Sequence, residues 1–263
     1  GIRDTSVTGV QTCALPISSV DLSVVIPAYN ESERISSMLD ETLTFLREKS
    51  RKERFSFEVI VCDDGSRDST VAIAQKYNAR YGSEYVRVKR LSTNVGKGGA
   101  VKSGVMVSRG RWILMADADG ATRFADFENL HKVAIRNALS QRKNNNTPTS
   151  PQGVNAKTKV IGDASDSGSM VIVVGSRDHY KEDALVQRRW YRNILMHGFH
   201  FLVRTLCVPN IRDTQCGFKL FSRAAARATF PFMHLSRWCF DVELLWMAQH
   251  LKEGCNIYEE PVC

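Results

Sequence analysis

Asp117 and Asp119, separated by one alanine in RGRWILMADADGAT, close an apolar run of strand character that spans Trp112 to Met115. Side chains on a strand alternate faces, so the two carboxylates can point the same way, about 7 Å apart. Other acidic groups stand at comparable places: Glu31 follows the apolar run LSVVIPA, and Asp63-Asp64 end FEVIVCDD. Three acidic sites at one sheet edge repel one another unless a cation sits among them. Magnesium and manganese prefer carboxylate oxygens and complete their coordination with substrate phosphates. A D-x-D at a strand exit therefore suits a metal-bridged diphosphate, whose charge the metal neutralises as it leaves. A pair of solvated aspartates at a strand end is the alternative.

The elements that must position these groups are regular from Leu22 onward. LSVVIPA reads as a buried strand, and NESERISSMLDETLTFL as a helix with Asn30 placed to cap it and Glu33 three residues on. Ile35, Met38, Leu39, Thr42, Phe45 and Leu46 keep one face of that helix apolar. FEVIVCDD, YVRVKRL and WILM read as strands, with helices in SRDSTVAIAQKYNARY and NVGKGGAVKSGVMV between them. Alternation of this kind predicts an α/β fold with a mostly parallel central sheet covered by helices on both faces. Ligands of such sheets sit beyond the carboxyl ends of the strands, where Pro27 to Glu31, Asp63-Asp64, Asp117 and Asp119 all fall. Residues from about 140 to 169 are polar and nearly free of large apolar groups, which predicts a disordered insertion. MVIVVGSRD is then a strand, RRWYRNILMHGFHFLVRTLCV a helix, FKLFSR a short strand and FDVELLWMAQHL a last helix.

The chain of 263 residues carries a formal charge of +8, which favours an anionic partner. Its basic residues are scattered rather than blocked, which argues against nucleic acid. Seven cysteines without CxxC pairing read as reduced thiols. The glycine-rich NVGKGGAVKSG is not a Walker A loop, because Val105 follows Gly104. Nor is it a dinucleotide fingerprint, because Val101 stands where the third glycine belongs. His197 and His200 read as packing residues, and no cysteine is assigned as a nucleophile. The opening GIRDTSVTGVQTCALPI resembles a sequencing-library adapter translated in frame. Residues 1–17 are accordingly expected to be an artefact, and 20–263 a single domain that is truncated at its C-terminus.

VVIPAYNE, VIVCDDGSRDST and ILMADADG, in that order, resemble the family-2 glycosyltransferases. The resemblance implies a GT-A fold of the nucleotide-diphospho-sugar transferase type. It implies that Pro27, Tyr29 and Glu31 line the nucleoside pocket and that Asp64 faces the base. Asp117 would sit near the ribose or the metal, Asp119 would be the principal ligand of a divalent Mg2+ or Mn2+, and Lys97 would reach the diphosphate. GSRD at 175–178, QRRWYR at 187–192, IRDTQCGFKLF at 211–221 and RWCFDVELL at 237–245 further resemble polyprenyl-phosphate glycosyltransferases.

A lipid monophosphate has a second pKa near 6 and needs cations to position it rather than a base to activate it. Arg177 and Arg188 match phosphate-holding arginines of related enzymes, with Arg192 one helical turn beyond Arg188. Asp241 matches the position where other members place a catalytic base. Orienting Arg237 or holding an acceptor network are the other readings of it. A related mannosyl enzyme has a glutamine ligand where this chain has Ala121, so water or phosphate would fill that coordination site.

The resemblance implies transfer of glucose from UDP-glucose to dolichyl phosphate with inversion, for N-glycan precursor assembly. The expected setting is the endoplasmic reticulum membrane, with the catalytic domain facing the cytosol. The adapter-like residues occupy the place of an N-terminal anchor. Trp190 and Tyr191 beside arginines suit either an interfacial membrane helix or a core helix with a basic entrance. GDP-mannose as donor, or a sugar-nucleotide-binding protein without transferase activity, are the alternatives.

Overall fold

The computed structural model describes residues 15, 18–145, 169–177, 211–252 and 254–263. Arg188 and Arg192, the expected helix at 188–208 with its aromatic and histidine residues, Asp178, Cys207 and most of the expected insertion lie outside the described residues.

Among the described residues seven strands form one sheet in the order β3-β2-β1-β4-β6-β5-β7. They are β1 (Val20–Ala28), β2 (Phe57–Asp63), β3 (Val86–Arg90), β4 (Gly110–Met115), β5 (Val171–Ser176), β6 (Lys219–Ser222) and β7 (Asn256–Pro261). β3, β2, β1 and β4 run parallel, and β5 runs parallel to β7. β6 alone is antiparallel to both of its neighbours, β4 and β5.

The alternation of buried strand residues divides the core in two. Val24, Ile26, Leu114 and Val173 face one layer of helices: α1 (Ile35–Glu53), α2 (Thr70–Tyr81) and α4 (Phe127–Asn145). Val25, Ile60, Ile113, Met115 and Val174 face the other: α3 (Lys97–Val107), α5 (Arg223–Thr229) and α6 (Phe240–Gln249). Each large apolar side chain so buried contributes about 1.5–3 kcal/mol. This is the expected GT-A arrangement, a mostly parallel sheet between helices. No helix of the described residues is long and apolar enough to cross a membrane.

Several local expectations need correction. Asn30 does not cap α1. The helix begins at Ile35 behind Arg34, while Asn30 adopts a left-handed φ of 55° and its side chain accepts from the Arg67 amide at 2.9 Å. Asparagine tolerates that conformation, so the residue chosen as a cap serves as a loop tie instead. α1 also continues past Leu46 to Glu53, ending in Arg51 and Lys52, which suit the negative end of a helix, and in Arg54 at φ 53°. α4 extends to Asn145, so the first residues assigned to the insertion are helical. α4, α5 and β7 are all absent from the elements expected from the sequence.

Candidate active site

The site is assembled where the parallel strands end. The chain leaving β1 is fastened to the loop after β2 by a row of hydrogen bonds. The amide of Asn30 donates to Ser66 Oγ at 2.9 Å, that of Glu31 to Thr70 Oγ1 at 2.8 Å, and that of Ser32 to Asp68 Oδ2 at 3.1 Å. Burial works against the charge of Asp68, but hydrogen bonds from Thr70 and Ser32 outweigh it and hold the carboxyl at about 2. The Glu31 carboxylate is paired with Arg34 at 2.6 Å.

The glycine-rich segment is pinned in turn by Asp64. One of its oxygens accepts from the Val95 amide at 2.7 Å and the other from the Gly96 amide at 2.8 Å. Gly96 has φ +93° and lies so close to Ser236 and Arg237 that a side chain would not fit. The Gly99 amide completes the junction by donating to the Ser236 carbonyl at 2.8 Å. The first turn of α3 thus presents Lys97 toward the D-x-D. Its ammonium pairs with Asp117 at 2.7 Å.

Pro27, Tyr29, Glu31, Asp64, Lys97, Asp117 and Asp119 all line one cavity of about 390 Å³. Asn94, Arg237 and Trp238 complete its mouth, and Trp238 is 87% exposed there. Asp119 is exposed, and one of its oxygens accepts from the Ala121 amide at 3.0 Å.

Arg177 lies on the other side of Asp117. It shares a small cleft with Asp117, Ala121 and Gly217, and its guanidinium stands 3.8 Å from the buried carboxylate of Asp213. Asp241 is placed elsewhere. It is buried and accepts from the Lys219 ammonium at 2.6 Å, so its partner is Lys219 rather than Arg237.

Gly217, Lys219 and Asp213 were not singled out from the sequence as site residues. The available signal was a lysine inside the apolar FKLF and a glycine immediately before it. The Cys216 thiol, next to this group, is pushed up by burial.

The donor set suits a hard divalent cation. Asp117 and Asp119 line the cavity beside Glu31 and Asp64, and the Lys97 ammonium pairs with Asp117. Among the described residues no group of three His, Cys, Asp or Glu forms.

Residues 23–146 match the family described as glycosyl transferase family 2. The dolichyl-phosphate beta-glucosyltransferase of Drosophila melanogaster is 48% identical over 235 residues, covering 89% of this chain and 64% of the relative. That of Homo sapiens is 48% identical over 232 residues, covering 88% and 64%. The chain thus spans about 64% of the length of these curated relatives. Glucosyl-3-phosphoglycerate synthase from Mycobacterium tuberculosis, in complex with UDP, has a similar fold with a TM-score of 0.54. At 16% identity the match covers 92% of this chain and 70% of that one. A further structure of that synthase holds Mn2+, UDP and phosphoglyceric acid, with a TM-score of 0.52 at 18% identity.

Proposed function

We propose that residues 23–146, which match glycosyl transferase family 2, are a domain of that family, and that the chain transfers glucose from UDP-glucose to dolichyl phosphate with inversion. The observation that carries this reading is convergence. Seven residues from the β1, β2, glycine-rich and D-x-D segments line the same cavity, although they are spread from Pro27 to Asp119.

Pro27, Tyr29 and Glu31 form the wall for the nucleoside. Asp64 acts on that wall through the backbone, since its oxygens hold the Val95 and Gly96 amides in place. Asp119 and Asp117 are the residues that would hold Mg2+ or Mn2+, which when bound neutralises charge on the departing diphosphate. Lys97 leaves Asp117 for the diphosphate, or shares itself between them. The lipid phosphate is largely dianionic at neutral pH and attacks the anomeric carbon without a base. Arg177 holds it on the face opposite UDP, so a single in-line displacement inverts the anomeric centre, and Arg188 is the second arginine assigned to that phosphate. The product, dolichyl β-glucosyl phosphate, serves N-glycan precursor assembly at the cytosolic face of the endoplasmic reticulum membrane.

The deciding experiment incubates the protein with dolichyl phosphate, manganese or magnesium, and labelled UDP-glucose or GDP-mannose in parallel. Label in the organic phase from UDP-glucose alone is the expected result. Label from GDP-mannose overturns the donor, and no label from either with folded protein overturns the acceptor or the activity.

A further inference from the structure

β6 opens on a buried lysine. Lys219 lies between Phe218 and Leu220, is 1% exposed, and donates to Asp241 Oδ1 at 2.6 Å and to the Cys216 carbonyl at 2.5 Å. A buried ion pair gives little stability over well-packed apolar residues of the same volume, so stability alone is a weak reason for it. A better one lies two residues back along the chain. Met115 of β4 is paired with Lys219 of β6 in antiparallel register. Continuing that register by two residues sets Asp117 opposite Gly217. There a Cβ on Gly217 would collide with the Asp117 carboxylate. The bare backbone at Gly217 is therefore the surface on which the Asp117 carboxylate rests. The carbonyl immediately before it is the one that Lys219 holds.

We propose that Lys219 and Asp241 are positioning residues for Asp117. The ammonium fixes the Cys216 carbonyl, and with it the Gly217 backbone that sets where the Asp117 carboxylate stands in the cavity. A methionine at 219 would fill much of the same space but could not hold that carbonyl. Asp241 is thereby given a role other than base, because its carboxylate accepts from the buried Lys219 ammonium. The geometric inference stands on this fold alone; its bearing on a bound diphosphate rests on the function proposed above.

Crystal structures of the unsubstituted protein and of Lys219→Met, both without ligand, test the geometry directly. The expected result is a shifted Cys216–Gly217 backbone and an Asp117 carboxylate displaced from its place. Superposable Asp117 and Gly217 in the two structures overturn the inference. Calorimetric titration with UDP in the presence of manganese gives the functional reading. Lys219→Met is expected to bind about 10- to 100-fold more weakly, the range seen when residues behind metal ligands are removed. Combined with Asp117→Asn it should add no further loss, because both changes act through one carboxylate. Additive losses, or a lowered melting temperature with undiminished manganese-dependent affinity, overturn the proposal. Should Lys219→Met not fold, Asp241→Asn keeps the shape of the acceptor and carries both tests with the same outcomes. An unsubstituted protein that fails to bind UDP with manganese sinks the proposed function, while the crystallographic comparison still decides the positioning role.

Discussion

The Lys97 ammonium lies 2.7 Å from one oxygen of Asp117 and 2.9 Å from the other. Both side chains are partly open to solvent, so this pair contributes little to folding. Its importance is electrostatic, because it keeps a positive charge beside the D-x-D.

Lys97→Ala is therefore expected to leave the melting temperature within about 2–4 °C of the parent, the shift that roughly 1 kcal/mol produces in a domain of this size. UDP binding should weaken about tenfold, the loss of one charge-assisted hydrogen bond. Calorimetry and a thermal melt on the same sample check both halves. A large loss of stability with UDP affinity unchanged would reverse the assignment.

Asp119 is exposed and its described tie is to the Ala121 amide, so little of the fold depends on it. Asp119→Ala should preserve the circular dichroism spectrum while lowering transfer at least about a hundredfold, the scale on which charge stabilisation of a leaving group acts. Transfer retained with its metal requirement unchanged would remove Asp119 from the metal site.

Gly217 and Gly254 make a matched pair of glycines. A methyl group at Gly217 meets the Asp117 carboxylate, whereas at Gly254, with φ +72°, it meets nothing within 4 Å. Gly254→Ala should cost about 1–2 kcal/mol from left-handed backbone strain and leave UDP affinity alone. Gly217→Ala should impair manganese-dependent UDP binding, which titration of both variants resolves. Equal binding by the two would show that Asp117 tolerates displacement.

His131 stacks on Phe127 at 5.0 Å and meets Trp112 and Phe55 edge-on. Burial, reinforced by the nearby Lys49 charge, lowers its pKa to about 4. Unfolded histidine titrates near 6.5, so between those values the unfolded chain binds the extra proton and stability falls as pH falls. The full window corresponds to roughly 3 kcal/mol. Urea unfolding at successive pH values should show this slope between pH 6.5 and 5, above the range of most carboxylates. His131→Phe should flatten it; an unchanged slope would assign the effect to other groups.

The strands and the acidic loops were legible because their signals are local. Apolar runs such as VVIP and WILM end in charged residues that must leave the core, and the sheet places them at one edge. α4 is missing from the sequence reading, although Phe127, Leu130, Ala134 and Ala138 recur at helical spacing and are buried. Its final turns merge into the polar composition of SQRKNNN, which masked the helix end. β7 interleaves Ile257 and Tyr258 with glutamates, and its strand character depends on pairing with β5. Lys219 was opaque for a different reason. Its counter-charge lies 22 residues away on α6, a distance along the chain that only the folded sheet closes.

The reversed direction of β6 has an architectural consequence. Because β5 runs toward the cavity and β6 away from it, the chain leaves the sheet at Arg177 and returns near Asp213 at the same rim, where the Arg177 amide bonds Asp213 at 3.3 Å. Whatever residues 178–210 do, both of their ends are anchored beside the D-x-D. Lengthening a connection between fixed ends costs only about 0.6 kcal/mol per doubling. The order β3-β2-β1-β4 on the far side of β6 is set without any contribution from that connection.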